Sequence, residues 1–200
     1  SLFTSQPAKP HDQHFGARMA LLGDGTLVVT LGDGNVERTD AQRMDSHLGK
    51  TVRVTRDGSV PADNPFVGRA GVLPEIYSLG HRNPQGLAWD STGQLWASEF
   101  GQDTWDELNR IEPGGNYGWP EVEGQAGAEG FIDPVVQWSP ADASPSGLAA
   151  VGDSLYLAAL RGERLWRIGT GDPVETVAYL AEEFGRLRDA VLAPDGLSLL

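Results

Sequence analysis

One spacing constrains this chain more than any other feature. Thr51-Val52-Arg53-Val54, Leu108-Asn109-Arg110-Ile111 and Leu165-Trp166-Arg167-Ile168 share a pattern of apolar residues around an arginine. Val54 to Ile111 and Ile111 to Ile168 are each 57 residues. A second unit keeps phase with the first. It is a short apolar strand, a Gly/Asp turn and another apolar strand. Its copies run from Arg18 through the turn at Gly23-Asp24-Gly25 to Leu31, from Gly86 through Asp90–Gly93 to Ser98, and from Gly147 through Gly152-Asp153 to Leu160. A fourth copy opens at Ala190 and turns at Pro194-Asp195-Gly196, with Leu197-Ser198-Leu199-Leu200 reading as the start of its second strand. Short strands at a fixed long period are the signature of β-propeller blades with long loops. A β-sandwich with chance similarity is the alternative, but three strand positions in phase favour the propeller.

The expected fold class is therefore all-β. Propellers close with about 4–8 blades, and 200 residues at this period supply about three to four blades. We expect one partial propeller over residues 1–200, cut at both ends, with no second domain. Few helices are expected, with a turn or two over residues 39–48.

Composition narrows the partners. Asp and Glu number 28 against 15 Lys and Arg, a net charge of −13. Nucleic-acid binding needs clustered cations to neutralise phosphates, so that class is disfavoured. No apolar run approaches the ~18 residues of a membrane span. The sequence holds no cysteine, which excludes disulfides, thiolate metal sites and cysteine nucleophiles.

In an antiparallel hairpin the start of the first strand and the end of the second lie at one end. The residues at those positions should then share one face of a propeller. They are His14, Asp33, Arg82, Asn83, Gly101, Gln102, Arg161, Arg186 and Arg188. Four arginines at one mouth of an acidic chain predict an anionic ligand with several carboxylates or phosphates, which guanidinium forks bind two bonds at a time. Pairing of each arginine with a nearby acid is the plainer alternative. His14 and Asp33 bracket one hairpin, and a carboxylate beside an imidazole orients it as a general base. A capping hydrogen bond explains the same spacing equally well. His11, His47 and His81 lack such context, and His81 reads as loop packing. Gly101 to Glu107 is rich in oxygen donors of the kind Ca²⁺ takes, without EF-hand spacing; a solvated acidic loop is the simpler reading.

Two longer stretches carry a resemblance. Ser78 to Leu87, reading SLGHRNPQGL, and Asp106-Glu107-Leu108-Asn109 with Gly115-Asn116-Tyr117-Gly118-Trp119-Pro120 resemble the soluble PQQ-dependent glucose and aldose sugar dehydrogenases, the glucose/sorbosone dehydrogenase family. Asp57 to Phe66, His14 to Arg18, Leu31-Gly32-Asp33 and Arg186-Leu187-Arg188-Asp189 also resemble that family. The resemblance implies a six-bladed propeller that oxidises the anomeric hydroxyl of aldoses to lactones. It implies pyrroloquinoline quinone (PQQ) bound over Ca²⁺. By resemblance His14 is the base and Asp33 its partner. Arg82 and Asn83 contact the quinone end, with Arg82 taking part in catalysis. Arg161, Arg186 and Arg188 hold the cofactor's carboxylates and ring. The carbonyls of Gly101 and Gln102 bind the cofactor's Ca²⁺, and Glu107 and Tyr117 match a second, structural Ca²⁺ site.

The chain departs from the family in places. Gln102 stands where the family has proline, and Gln13 where the glucose enzyme has an acidic sugar contact. A threonine near the cofactor is matched by either Ser139 or Ser144. The resemblance further implies a periplasmic or secreted enzyme with an unidentified electron acceptor, and poor activity for a chain lacking half a ring. Two rivals remain at this stage. One is a non-redox propeller that binds a sugar or anionic partner. The other is a Ca²⁺-dependent lactonase, which needs axial carboxylates where this chain has arginines.

Overall fold

The computed structural model describes residues 2–9, 11–196 and 198–200. Three four-stranded antiparallel meanders account for nearly all regular structure. The protein is all-β and has the propeller fold, each meander being one blade. It divides into two compact units, residues 1–84 with 111–133, and residues 85–110 with 134–200.

The first unit holds β1 (Gly16–Leu21), β2 (Leu27–Leu31), β3 (Lys50–Val54) and β4 (Ile76–Leu79), in that spatial order. β2 reads Leu-Val-Val-Thr-Leu, and its β-branched residues suit a pleated, half-buried surface. Its neighbour β3 is buried throughout, although it carries Lys50 and Arg53. Lys50 donates to the carbonyls of Asp40, Ala41 and Leu48 at 2.7, 3.0 and 2.8 Å. That ties the 3-10 segment Arg38–Gln42 to the blade. Burial pushes the Lys50 ammonium down to about 7, against the pull of Asp40 and Asp45. Phe66, Ile76 and Leu79 form a small core with Met44, Val72 and Leu73 packed on it.

The second unit carries two meanders. β5 (Pro84–Trp89), which begins at the division between the units, is followed by β6 (Leu95–Glu99), β7 (Asp106–Ile111) and β8 (Val136–Trp138). β9 (Pro145–Val151), β10 (Ser154–Ala159), β11 (Arg164–Gly169) and β12 (Thr176–Tyr179) form the other. Trp96, Leu108, Trp138, Leu148, Leu155, Leu157 and Ile168 make the main core, drawn from both meanders. An aspartate organises two of the three hairpin turns. Asp90 accepts from the Thr92 and Gln94 amides and from the Trp96 indole, and Asp24 accepts from the Thr26 amide and hydroxyl. This is why the Gly/Asp turn marks the repeat so clearly.

The three repeated hairpins and the three third strands fall where the period puts them. The fourth strands β4, β8 and β12 were not expected. The turn expected over residues 39–48 is one short 3-10 segment ending at Gln42. The expected fourth hairpin is present in short form: Val191 and Leu200 exchange both backbone bonds at 3.0 and 2.9 Å, Ala193 O accepts from Gly196 N at 2.9 Å in the turn, and Leu192 bridges Leu199. Leu197, part of that expectation, lies outside the described residues.

Candidate functional site

In the first unit, a short side-chain chain runs through the end of the β1–β2 hairpin. His14 Nδ1 lies 2.7 Å from Asp33 Oδ1. The His14 side chain is 14% exposed and that of Asp33 is 0%. The Asn35 amide donates to the same oxygen at 2.7 Å, and the Trp119 indole donates to Oδ2 at 2.8 Å. Burial works to raise the Asp33 carboxyl. The donors His14, Asn35 and Trp119 outweigh it and hold the group below the usual carboxylate range. Asp33 is thus an anion that accepts from His14 Nδ1, which leaves Nε2 as the ring nitrogen not engaged by the carboxylate. The backbone fixes this arrangement. His14 has φ +50, a left-handed conformation rare outside glycine. A Cβ on Gly32 would stand 2.0 Å from the His14 carbonyl oxygen. Only glycine lets the two strands' ends meet this closely.

The segment leading into β5 is pinned to the same place. Asp33 N donates to Arg82 O at 2.8 Å, Gly16 N to Asn83 Oδ1 at 3.3 Å, and Thr30 Oγ1 to Pro84 O at 3.2 Å. The Arg82 guanidinium lies 5.4 Å from the Trp119 ring centroid, a cation–π distance. Lys9, which sequence reasoning passed over, donates to the carbonyls of His14 and Gln13. Burial lowers its ammonium, while Asp33 and Glu37 oppose that shift. His81 packs as expected. It is buried, stacks on Tyr117 with centroids 4.8 Å apart, and pairs with Ser78 at 2.8 Å.

In the second unit, backbone does most of the positioning. Asp106, buried at the start of β7, accepts from Gly101 N at 3.0 Å and from Ser144 N at 2.7 Å. One carboxylate therefore joins the turn after β6 to the segment before β9. Leu187 N bonds Ala159 O, and Gly147 N bonds Arg188 O. Residues 186–188 thus run beside the β10 end, where Arg161 follows. Arg161, Arg186 and Arg188 are exposed. They make no ion pair or side-chain hydrogen bond among the described residues. For these three, the plainer alternative of pairing with a nearby acid does not hold.

Glu107 is buried and accepts from Asn109 Nδ2 at 3.1 Å. Tyr117 is buried too, and its hydroxyl accepts from Glu112 N at 2.8 Å. They belong to different units. Among the described residues no group of three His, Asp or Glu side chains is placed to hold a metal. The expectation for the cofactor's Ca²⁺ rests on peptide oxygens at Gly101 and Gln102.

Comparison with known proteins gives a consistent result. The family described as Glucose / Sorbosone dehydrogenase matches residues 1–200. An aldose sugar dehydrogenase of Escherichia coli is 34% identical over 98% of this chain and 59% of its own length. Quinoprotein glucose dehydrogenase B of Acinetobacter calcoaceticus is 50% identical over 59% of this chain and 28% of its own. The PQQ-bound aldose sugar dehydrogenase of Streptomyces coelicolor superimposes with TM-score 0.82 and 50% identity, covering 89% of this chain and 52% of that one. The chain thus spans less than two thirds of the length of these relatives.

Proposed function

The chain belongs to the glucose/sorbosone dehydrogenase family, and from that premise we propose that it is part of a PQQ-dependent aldose dehydrogenase that makes lactones. The observation that supports the proposal is the His14–Asp33 pair, with Nδ1 2.7 Å from the carboxylate; in this reading Nε2 is the proton acceptor. His14 removes the proton of the anomeric hydroxyl, and Asp33 stabilises the imidazolium that results. Arg82, steadied by the Trp119 face, offers positive charge where negative charge develops. PQQ, when bound, supplies the two-electron acceptor for the hydride that leaves the anomeric carbon.

The residues present suit that group. Arg161, Arg186 and Arg188 are exposed and have no acidic partner among the described residues. That is the donor set a tricarboxylate needs. Asn83 joins Arg82 at the quinone end in this reading. The carbonyls of Gly101 and Gln102 hold Ca²⁺, a hard ion that takes oxygen. Glu107 and Tyr117 match a second Ca²⁺ site by resemblance alone. We propose further that residues 1–200 are one partial propeller domain of an enzyme that works in the periplasm or is secreted, with an electron acceptor still to be identified. No helix among the described residues is long and apolar enough to cross a membrane.

The test is reconstitution of the full-length protein with PQQ and Ca²⁺, assayed with aldoses and an artificial acceptor. Sugar-dependent dye reduction is expected, with a fall of about 10²–10⁴-fold in kcat for His14→Gln. No dye reduction by the wild type, or full activity in the variant, contradicts the reading.

A further inference from the structure

We propose that Trp119 is a positioning residue for the His14–Asp33 pair, acting through the bond from its indole N–H to Asp33 Oδ2. Trp119 is 86 residues from Asp33 in sequence, and the bond is 2.8 Å. Asp33 is wholly buried, so its carboxylate cannot borrow a donor from solvent. Oδ1 is taken by His14 and Asn35. The indole is the donor that the structure gives to Oδ2. With one oxygen held on each side, the carboxylate cannot rotate, and Oδ1 stays facing the imidazole.

The indole is itself fixed. Trp119 N donates to Gly80 O at 3.0 Å, and Trp119 O accepts from Gln42 Nε2 at 2.7 Å. Gln42 also exchanges bonds with Asn116 at 3.0 and 2.7 Å. Arg82 and Arg38 stand 5.4 and 5.8 Å from the ring centroid. The same ring therefore fixes the carboxylate by its edge and steadies Arg82 by its face. Trp119 touches neither substrate nor cofactor in this role. It acts through Asp33 on the imidazole, and by its face on the guanidinium.

Its part in turnover rests on the base role proposed for His14, but the decisive readout does not. Trp119→Phe keeps an aromatic face and removes the N–H. In the apoprotein, ¹⁵N NMR of the His14 ring reads the tautomer directly. Wild type is expected to be Nδ1–H. Trp119→Phe is expected to show a mixture of Nδ1–H and Nε2–H, with the Asp33 carboxyl ¹³C titration displaced to higher pH. In holoenzyme kcat is expected to drop about 10–100-fold, the usual worth of a hydrogen bond to a charged group. A variant that merely melts lower, with the tautomer and the Asp33 titration unmoved, overturns the proposal. If Trp119→Phe does not fold, the wild-type indole ¹H–¹⁵N resonance replaces it. It is expected to lie downfield, protected from exchange, and to move in His14→Gln. An indole resonance that ignores the imidazole overturns the proposal as well. Absence of sugar oxidation would remove the dehydrogenase reading and leave these NMR outcomes as they are.

Discussion

The two units position their polar residues by opposite means. In the first, buried side chains hold one another: His14, Asp33 and Trp119 are linked at 2.7 and 2.8 Å, and a left-handed backbone at His14 fits against Gly32. In the second, the buried Asp106 carboxylate and several peptide bonds hold loops whose arginines Arg161, Arg186 and Arg188 stand exposed and without acidic partners among the described residues. The first arrangement suits proton transfer, which is lost when donor and acceptor drift by fractions of an ångström. The second suits capture of a multiply charged ligand, which brings its own partners to flexible guanidiniums.

The largest contrast should appear with glycine substitutions. Gly32→Ala drives a Cβ into the His14 carbonyl at 2.0 Å, backbone against backbone with no side chain to swing away. We expect about 3 kcal/mol or more of destabilisation. Gly152→Ala, in the β9–β10 turn, meets nothing within 4 Å and suffers only its positive φ of 59. It should cost about 1 kcal/mol. Urea denaturation of both variants checks this, and equal losses would erase the contrast.

Asp106→Asn comes next. An amide cannot accept from both Gly101 N and Ser144 N, because one of its two heads is an NH₂. We expect about 1–3 kcal/mol of local destabilisation. It should be read as faster hydrogen exchange at those two amides, with His14 and Asn35 unaffected.

The smallest effect concerns acid. Because the Asp33 carboxyl is held below its ordinary value in the folded state, the unfolded chain binds its proton first as pH falls. Its stabilising contribution is complete above about pH 4. It is lost as pH drops through the depressed folded value. Asp33→Asn should therefore flatten the acid limb of the stability curve, measured by thermal melts from pH 6 to pH 3. An unchanged limb would show that the three donors do not favour the anion.

How much of this was legible in the sequence follows from the physics of each feature. The hairpins were readable because Asp24 and Asp90 anchor their turns locally, and because β2, β6 and β10 are apolar runs. The fourth strands were hidden. β4, β8 and β12 follow loops of different length, and β12 is exposed along its whole length, so no shared pattern marks them. The His14–Asp33 pair was legible because a hairpin brings its two ends together. Trp119 stands within a recognisable motif, but nothing local ties it to an aspartate in another loop. Lys9 and Lys50 were missed for the same reason. Their partners are backbone carbonyls, which leave no trace in residue type.

The division of labour can be measured in one paired experiment on full-length holoenzyme: PQQ affinity and kcat at saturating PQQ, for His14→Gln and for the double variant Arg186→Gln/Arg188→Gln. The account predicts that the histidine variant binds PQQ as the wild type does and turns over about 10²–10⁴-fold more slowly. The arginine variant should bind PQQ about 10²-fold or more weakly and, once saturated, turn over at close to the wild-type rate. An arginine variant with undiminished PQQ affinity, or a histidine variant that loses the cofactor and keeps its turnover, contradicts it.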